Sequence, residues 1–278
     1  MMSLDPVLSA EALLRKEPRP LLFDARSGPD ARARYESGHL PGAFFADLEK
    51  DLAEVGEDAA EGGRHPLPPP ERFAAWLGEC GLTPGREVVI YDDQGGANAA
   101  ARLWWMLRSL GHSAVQVLDG GLPAALAAGF EVVTEPPAAA PRAPYPLHSY
   151  LWPTTDIEEV DAARRAEARV VLDVRSAPRF RGEHEPFDPV VGHIPGARNV
   201  PLEENLDGEG KLKTAAELRA LYEPLYRREA PEALIVHCGS GVTACHTLLA
   251  LERAGLVGAK LYVGSWSEWC RRPDRERA

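Results

Sequence analysis

Three short motifs occur twice in this chain, in the same order, and that duplication limits the fold more than any other feature. Leu22-Phe23-Asp24-Ala25-Arg26 returns as Val171-Leu172-Asp173-Val174-Arg175, and Gly38-His39-Leu40-Pro41-Gly42-Ala43 returns as Gly192-His193-Ile194-Pro195-Gly196-Ala197. The third pair is Val89-Ile90-Tyr91-Asp92 and Ile235-Val236-His237-Cys238. Spacing drifts by a few residues between the copies while the order holds, as expected of two duplicated domains. A length of 278 residues also suits about two domains of ordinary size.

Within the first copy, Ser9 is placed to cap a short helix through Leu13 and Leu14, and an apolar strand follows at Leu21 to Phe23. A helical patch surrounds Ala31 to Tyr35, and residues 46–70, charged and ending in Pro66, Pro68, Pro69 and Pro70, read as a long surface loop. Further on come a helix from Glu71 to about Gly78, a strand from Glu87 to Tyr91 and a helix from Ala97 to Leu110 that carries Arg102, Trp104 and Trp105. A strand at Ala114 to Leu118 and a short helix after Gly121 complete the half. Strand and helix alternate, which predicts an α/β fold with two mostly parallel sheets flanked by helices. Pro136, Pro137, Pro141, Pro144 and Pro146 among alanines mark a semi-extended linker. The expected division is a first domain over 1–134, a linker over 135–150 and a second domain over 151–278.

The chemistry concentrates at the end of the third repeated motif. An apolar run, Ala233 to Val236, leads into His237, Cys238, Gly239, Ser240, Gly241, Val242 and Thr243, and then a helical pattern through Leu248, Leu249 and Leu251. Cys238 is therefore expected at the carboxyl end of a strand and at the mouth of a helix, where unpaired amide hydrogens favour a thiolate. Gly239 and Gly241 let successive N–H groups converge on one atom. Cys238 is the candidate nucleophile. The matching position of the first half is Asp92, which cannot act as a sulfur nucleophile, so the first domain is expected to be a non-catalytic copy.

A net charge of −11 opposes nucleic acid and anionic membranes as partners. It also means that an anionic substrate must be attracted locally. No apolar run approaches a membrane span, the first fifteen residues do not read as a signal peptide, and a cytoplasmic location is expected. Cys80, Cys238, Cys245 and Cys270 are irregularly spaced with no CxxC, which predicts free thiols, no disulfide framework and no metal site.

These residues together resemble the two-domain rhodanese family, the thiosulfate and 3-mercaptopyruvate sulfurtransferases. The resemblance spans nearly the whole chain: both strand-end motifs, both Gly-His turns, Trp104-Trp105, the Cys238 to Ala244 loop and the terminal Gly264-Ser265-Trp266-Ser267-Glu268-Trp269. It implies two rhodanese-like domains of five strands each and a reaction without a cofactor. Cys238 would take a sulfane sulfur from a small-molecule donor, become a persulfide, and pass the sulfur to cyanide, a thiol or a thioredoxin-like protein.

The same resemblance assigns the other roles. Ser240 would act as a hydroxyl relay, and Gly239, Gly241, Val242 and Thr243 would line the donor, Thr243 alternatively serving only as a helix cap. His65 would face the site, and Asp51 is the nearest candidate for the remaining member of the catalytic set. Two arginines would hold a mercaptopyruvate carboxylate. Arg179 matches the first, but Phe187 stands where the second belongs, leaving Arg181 or Arg102 as substitutes. The loop favours mercaptopyruvate and the missing arginine does not, so both donors stay open. A cysteine phosphatase would need an arginine where Ala244 stands. The remaining alternative is a non-catalytic rhodanese-like binding module or sulfur relay.

Overall fold

The computed structural model describes residues 4–146 and 149–278, so Met1, Met2 and Ser3 and, within the expected linker, Leu147 and His148 lie outside the described residues. In the first half β1 (Val7–Leu8), α1 (Ala10–Leu14), β2 (Leu21–Asp24), α2 (Ala31–Ser37), β3 (Ala43–Phe45) and α3 (Pro70–Glu79) come in order. They are followed by β4 (Val88–Tyr91), α4 (Ala99–Ser109), β5 (Val115–Leu118) and α5 (Gly121–Ala127). Ser9 does cap α1, its side chain accepting from the Ala12 N–H at 3.2 Å.

The second half repeats the plan with β6 (Thr154–Thr155), α6 (Ile157–Ala163), β7 (Val170–Asp173), α7 (Ala177–Phe180) and β8 (Arg198–Asn199). Then come α8 (Ala215–Tyr222), β9 (Leu234–His237), α9 (Ala244–Arg253), β10 (Lys260–Tyr262) and α10 (Ser265–Trp269).

Each half forms one five-stranded sheet, ordered β1-β5-β4-β2-β3 and β6-β10-β9-β7-β8, and every strand pairing within them is parallel. The central strands β4 and β9 are buried along their whole length, which is why they read as unbroken apolar runs. Strand order reverses beside them, so the loops leaving their carboxyl ends occupy the usual ligand position of such sheets. One core gathers Leu13, Leu22, Leu40, Val89 and Leu118; the other gathers Val160, Val171, Ile235, Trp266 and Trp269.

The repeated motifs explain themselves in these two sheets. Asp24 ends β2 and receives Arg26 Nε at 2.9 Å and Nη2 at 2.6 Å, and the same Nη2 donates to the Gly38 carbonyl at 3.0 Å. In the copy, Arg175 Nη2 donates to Asp173 at 2.6 Å and to the Gly192 carbonyl at 2.8 Å. Each buried Asp-Arg pair thus ties a strand end to its Gly-His turn, one Nη2 donating to both the carboxylate and the turn carbonyl. The turn histidines are spent on the same purpose: His39 stacks on Tyr35 and donates Nδ1–H to its carbonyl, while His193 stacks on Phe180 and does likewise.

By contacts the chain divides into two compact units. One holds Met1–Ala53, Pro68–Leu151 and Gly208–Leu212; the other holds Glu54–Leu67, Trp152–Asp207 and Lys213–Ala278. Residues 54–67, which precede the second half by a long stretch of sequence, therefore pack with Cys238. The proline-rich residues 134–146 contain no helix or strand and are strapped along α3, where Arg142 N–H and Tyr145 N–H donate to the Gly78 and Ala74 carbonyls at 2.8 and 2.9 Å. Gly78 permits this approach: a Cβ there would lie 2.5 Å from the Ala143 carbonyl oxygen.

Candidate active site

Cys238 leaves the buried end of β9 and its residue is 1% exposed. Three hydrogen bonds fasten its loop to the segment at the start of α10. The Cys238 N–H donates to Ser265 Oγ at 3.2 Å, the Trp266 N–H donates to the Cys238 carbonyl at 3.1 Å, and the Ser267 N–H donates to the Gly239 carbonyl at 2.9 Å. Gly241 has φ +74°, and a Cβ on it would stand 2.4 Å from the Val263 carbonyl oxygen, so this turn admits no side chain. Beyond it α9 opens, and its Cys245 and His246 N–H groups donate to the Val242 and Thr243 carbonyls, both at 3.1 Å.

Ser265 sits at φ +53° although it is not glycine, and its counterpart Gly121 has φ +60°. An L-residue in this region costs about 1 kcal/mol. The hydroxyl offsets that cost by donating to the Tyr262 carbonyl at 2.9 Å while accepting from Cys238.

A second wall comes from residues 62–65. The Gly62 N–H donates to Glu268 Oε1 at 3.2 Å, and Arg64 N–H to Ser267 Oγ at 3.0 Å. Gly63, at φ +84°, comes so near that a Cβ would lie 2.4 Å from the Gly264 carbonyl oxygen. This docking delivers His65 to the Cys238 loop: its Nδ1 and Ser240 Oγ are 2.7 Å apart, and both residues are buried. Hydroxyl and imidazole form a short hydrogen bond able to pass a proton, the donor being set by the ring tautomer.

Two guanidiniums flank the loop. Arg179 is held by the buried Glu185, with Nε and Nη2 donating at 3.1 and 2.7 Å. Arg64 is held by the buried Asp188 at 3.2 and 3.4 Å, and Arg271 shares that carboxylate at 2.6 Å.

The second unit thus brings together Cys238, Gly239, Ser240, Gly241, Val242, Thr243, His65 and Arg179. Thr243 stands at the N-cap of α9 but makes no side-chain cap hydrogen bond. Asp51 belongs to the first unit, where it accepts the Asp47 N–H at 2.8 Å and burial pushes its carboxyl up to about 6. Arg102 is also in the first unit, buried and donating to the Leu52 carbonyl at 3.3 Å, and Arg181 is a half-exposed partner of Glu183. Arg64, Ser265 and the anchoring roles of Glu185 and Asp188 were not picked out from sequence. The only signal for Arg64 was its place beside His65 after two glycines.

The first unit contains an internal reference for the loop. At the position of Cys238, the Asp92 carboxylate is wholly buried and accepts N–H donors from Gln94, Gly96, Asn98 and Ala100 at 2.8, 2.7, 3.0 and 3.4 Å. Burial pushes this carboxyl upward against the four amides. A loop of this plan is therefore a cradle for negative charge, filled in the first unit by the chain's own carboxylate. Cys80 and Cys270, by contrast, are thiols that burial pushes up to about 12 and about 11. Among the described residues no group of His, Cys, Asp or Glu is arranged to hold a metal, and no helix is long and apolar enough to cross a membrane.

Comparison with known proteins agrees in both sequence and shape. Residues 9–128 and 156–272 each match the Rhodanese-like domain. The chain is 42% identical over 283 residues to a probable 3-mercaptopyruvate sulfurtransferase of Pseudomonas aeruginosa, covering 99% of this chain and 98% of that one. A putative thiosulfate sulfurtransferase of Mycobacterium tuberculosis is 39% identical over 247 residues, covering 89% of this chain and 85% of the relative. Among solved structures, 3-mercaptopyruvate sulfurtransferase from Leishmania major superposes with a TM-score of 0.81 at 32% identity, over 96% of this chain and 75% of that chain.

Proposed function

This chain belongs to the rhodanese family as a two-domain sulfurtransferase, and from that premise we propose that it takes sulfur from 3-mercaptopyruvate and carries it as a persulfide on Cys238. The Cys238 thiolate attacks the donor's sulfur, an S–S bond forms, and the C–S bond breaks with its electron pair left on the pyruvate carbon as an enolate. A proton delivered to that carbon completes pyruvate. In the second half-reaction an acceptor thiolate or cyanide attacks the outer sulfur and Cys238 leaves as thiolate. Two half-reactions through one covalent intermediate give ping-pong kinetics. Amides of the loop between Cys238 and α9 hold the thiolate and the persulfide anion, in the place that the Asp92 carboxylate takes in the other copy.

The observation that carries the donor assignment is the 2.7 Å bond between Ser240 and His65. Pyruvate enolate needs a proton as it departs, and a hydroxyl–imidazole pair beside the nucleophile can supply one. Sulfite leaving from thiosulfate needs none. Asp92 in its own cradle supports the reading of residues 1–134 as a non-catalytic copy, joined through 135–150 to a catalytic domain over 151–278, with residues 54–67 lent to the Cys238 unit. Four free thiols support a cytoplasmic setting, where cyanide, small thiols or a thioredoxin-like protein can serve as acceptor.

The test is steady-state transfer to cyanide with the two donors side by side, for the wild-type chain and for Ser240→Ala. Wild type is expected to favour 3-mercaptopyruvate in kcat/KM, and Ser240→Ala to lower kcat with that donor by about a hundredfold or more. With thiosulfate the same variant should lose only a few-fold. Thiosulfate preference in the wild type, or equal losses with both donors, would overturn the donor assignment.

A further inference from the structure

The reaction above makes no use of His237, the residue before Cys238, although its imidazole is wholly buried at the end of β9. Its counterpart in the first unit is Tyr91. Each pairs with the aspartate that ends the neighbouring strand, His237 opposite Asp173 and Tyr91 opposite Asp24. The Tyr91 hydroxyl accepts the Leu40 N–H of the first Gly-His turn at 2.9 Å. An imidazole ends short of the point that a phenol hydroxyl reaches. In the second unit the matching turn N–H, that of Ile194, is accordingly buried with no acceptor among the described residues. His237 Nε2 is likewise buried with no hydrogen-bond partner, and it stands 3.8 Å from Asp173 Oδ2, too far for a direct bond.

The ring's other nitrogen narrows its protonation. Nδ1 lies 3.2 Å from the Cys238 carbonyl, which can only accept, so Nδ1 carries a proton. A second proton on Nε2 would face Asp173 but leave the Ile194 N–H without an acceptor. Burial lowers the ring's pKa against the pull of Asp173, and Arg175 and His193 also oppose a second charge. Tyr262 contributes only a ring, T-shaped to the imidazole at 6.2 Å between centroids. One water satisfies every group at once: it accepts from the Ile194 N–H and donates one proton to Nε2 and the other to Asp173 Oδ2.

We propose that His237 is a positioning residue for the nucleophile, fixed as its Nδ1–H tautomer by a buried water that bridges Nε2, Asp173 and the Ile194 N–H. Asp173 can accept from that water because Arg175 already neutralises it through Nε at 3.0 Å and Nη2 at 2.6 Å. The Nδ1 proton gives the Cys238 carbonyl a second donor beside the Trp266 N–H at 3.1 Å. The nucleophile's own peptide is thereby held from two sides. Tyr91, whose one polar side-chain atom is turned to Leu40, has no such donor for the Asp92 carbonyl. The positioning role rests on Cys238 as the nucleophile; the water and the tautomer do not.

The experiment takes the full chain, His237→Tyr and His237→Asn. A crystal structure of the wild type that resolves ordered water is expected to show one within hydrogen-bond distance of His237 Nε2, Asp173 Oδ2 and the Ile194 N–H, and in His237→Tyr the new hydroxyl should take its place. Spectra of 15N-histidine-labelled protein, with His237 assigned by the signal that the variants lose, should show a neutral ring protonated on Nδ1 from about pH 8 to about pH 6. An imidazolium, an Nε2–H tautomer or a turn N–H with no water at it would overturn the inference. In sulfur transfer, His237→Tyr removes one donor from the Cys238 carbonyl and should lower kcat by about threefold to tenfold with 3-mercaptopyruvate and thiosulfate alike, KM staying within about twofold. Asparagine carries an N–H near the place of Nδ1, so His237→Asn should recover part of that loss. Wild-type kcat in His237→Tyr, or no recovery in His237→Asn, would refute the positioning role alone. Should His237→Tyr fail to fold, the wild-type crystal and spectra decide. A wild type that transfers no sulfur would remove Cys238 as the nucleophile and the role of His237 with it.

Discussion

Cys238→Ser is expected to leave the fold intact and to lower sulfur transfer by about a thousandfold or more, the scale of losing a covalent nucleophile. The change replaces one buried sulfur by oxygen and leaves the backbone bonds to Ser265 and Trp266 in place. What it removes is a sulfur nucleophile that can form an S–S bond, which a serine hydroxyl cannot. None of the other thiols can take over. Cys80 and Cys270 are held protonated by burial, and Cys245 is buried with its Sγ donating to the Gly241 carbonyl at 3.4 Å. The check is the intact mass after incubation with 3-mercaptopyruvate and no acceptor: wild type gains one sulfur atom and the variant gains none. A sulfur adduct or sustained turnover in Cys238→Ser would remove the nucleophile assignment.

Asp92→Ala is expected to cost the first unit about 3 kcal/mol or more. Four N–H groups lose a buried acceptor at once, and each orphaned donor costs about 1–3 kcal/mol before water compensates. Water can reach only part of this site, because the residue is 1% exposed and Gly121 presses against its carbonyl. Asp92→Asn keeps one oxygen acceptor but turns the other toward the amides as a donor, so an intermediate loss is expected. Urea denaturation of the three proteins measures this through the shift in midpoint. An unchanged midpoint in Asp92→Ala would mean that the four hydrogen bonds are not holding the loop, and the comparison with the Cys238 cradle would lose its basis.

Much of the architecture was readable in the chain because it is encoded locally. The Asp-Arg strand ends and the Gly-His turns recur because each pair closes one connection within a few residues, as Arg26 does with Asp24 and Gly38. The Cys238 loop was legible for a similar reason: a buried strand, glycines and a helix follow one another directly. The edge strands Val7–Leu8 and Thr154–Thr155 were not, since two residues carry no periodicity and are strands only by pairing with Val117–Leu118 and Leu261–Tyr262.

Sequence by itself determined the duplication, the α/β class and the rhodanese resemblance, and singled out Cys238 as the candidate nucleophile, all from residues adjacent in the chain. Only the tertiary structure decided which residues surround that cysteine. It placed 54–67 with the second unit, so that His65 meets Ser240 and Arg64 meets Asp188, while Asp51 stays with the first unit. The reason is that a guanidinium or an imidazole acts through the point its side chain reaches. That point is set by long-range contacts such as Gly63 against Gly264, which no local pattern records.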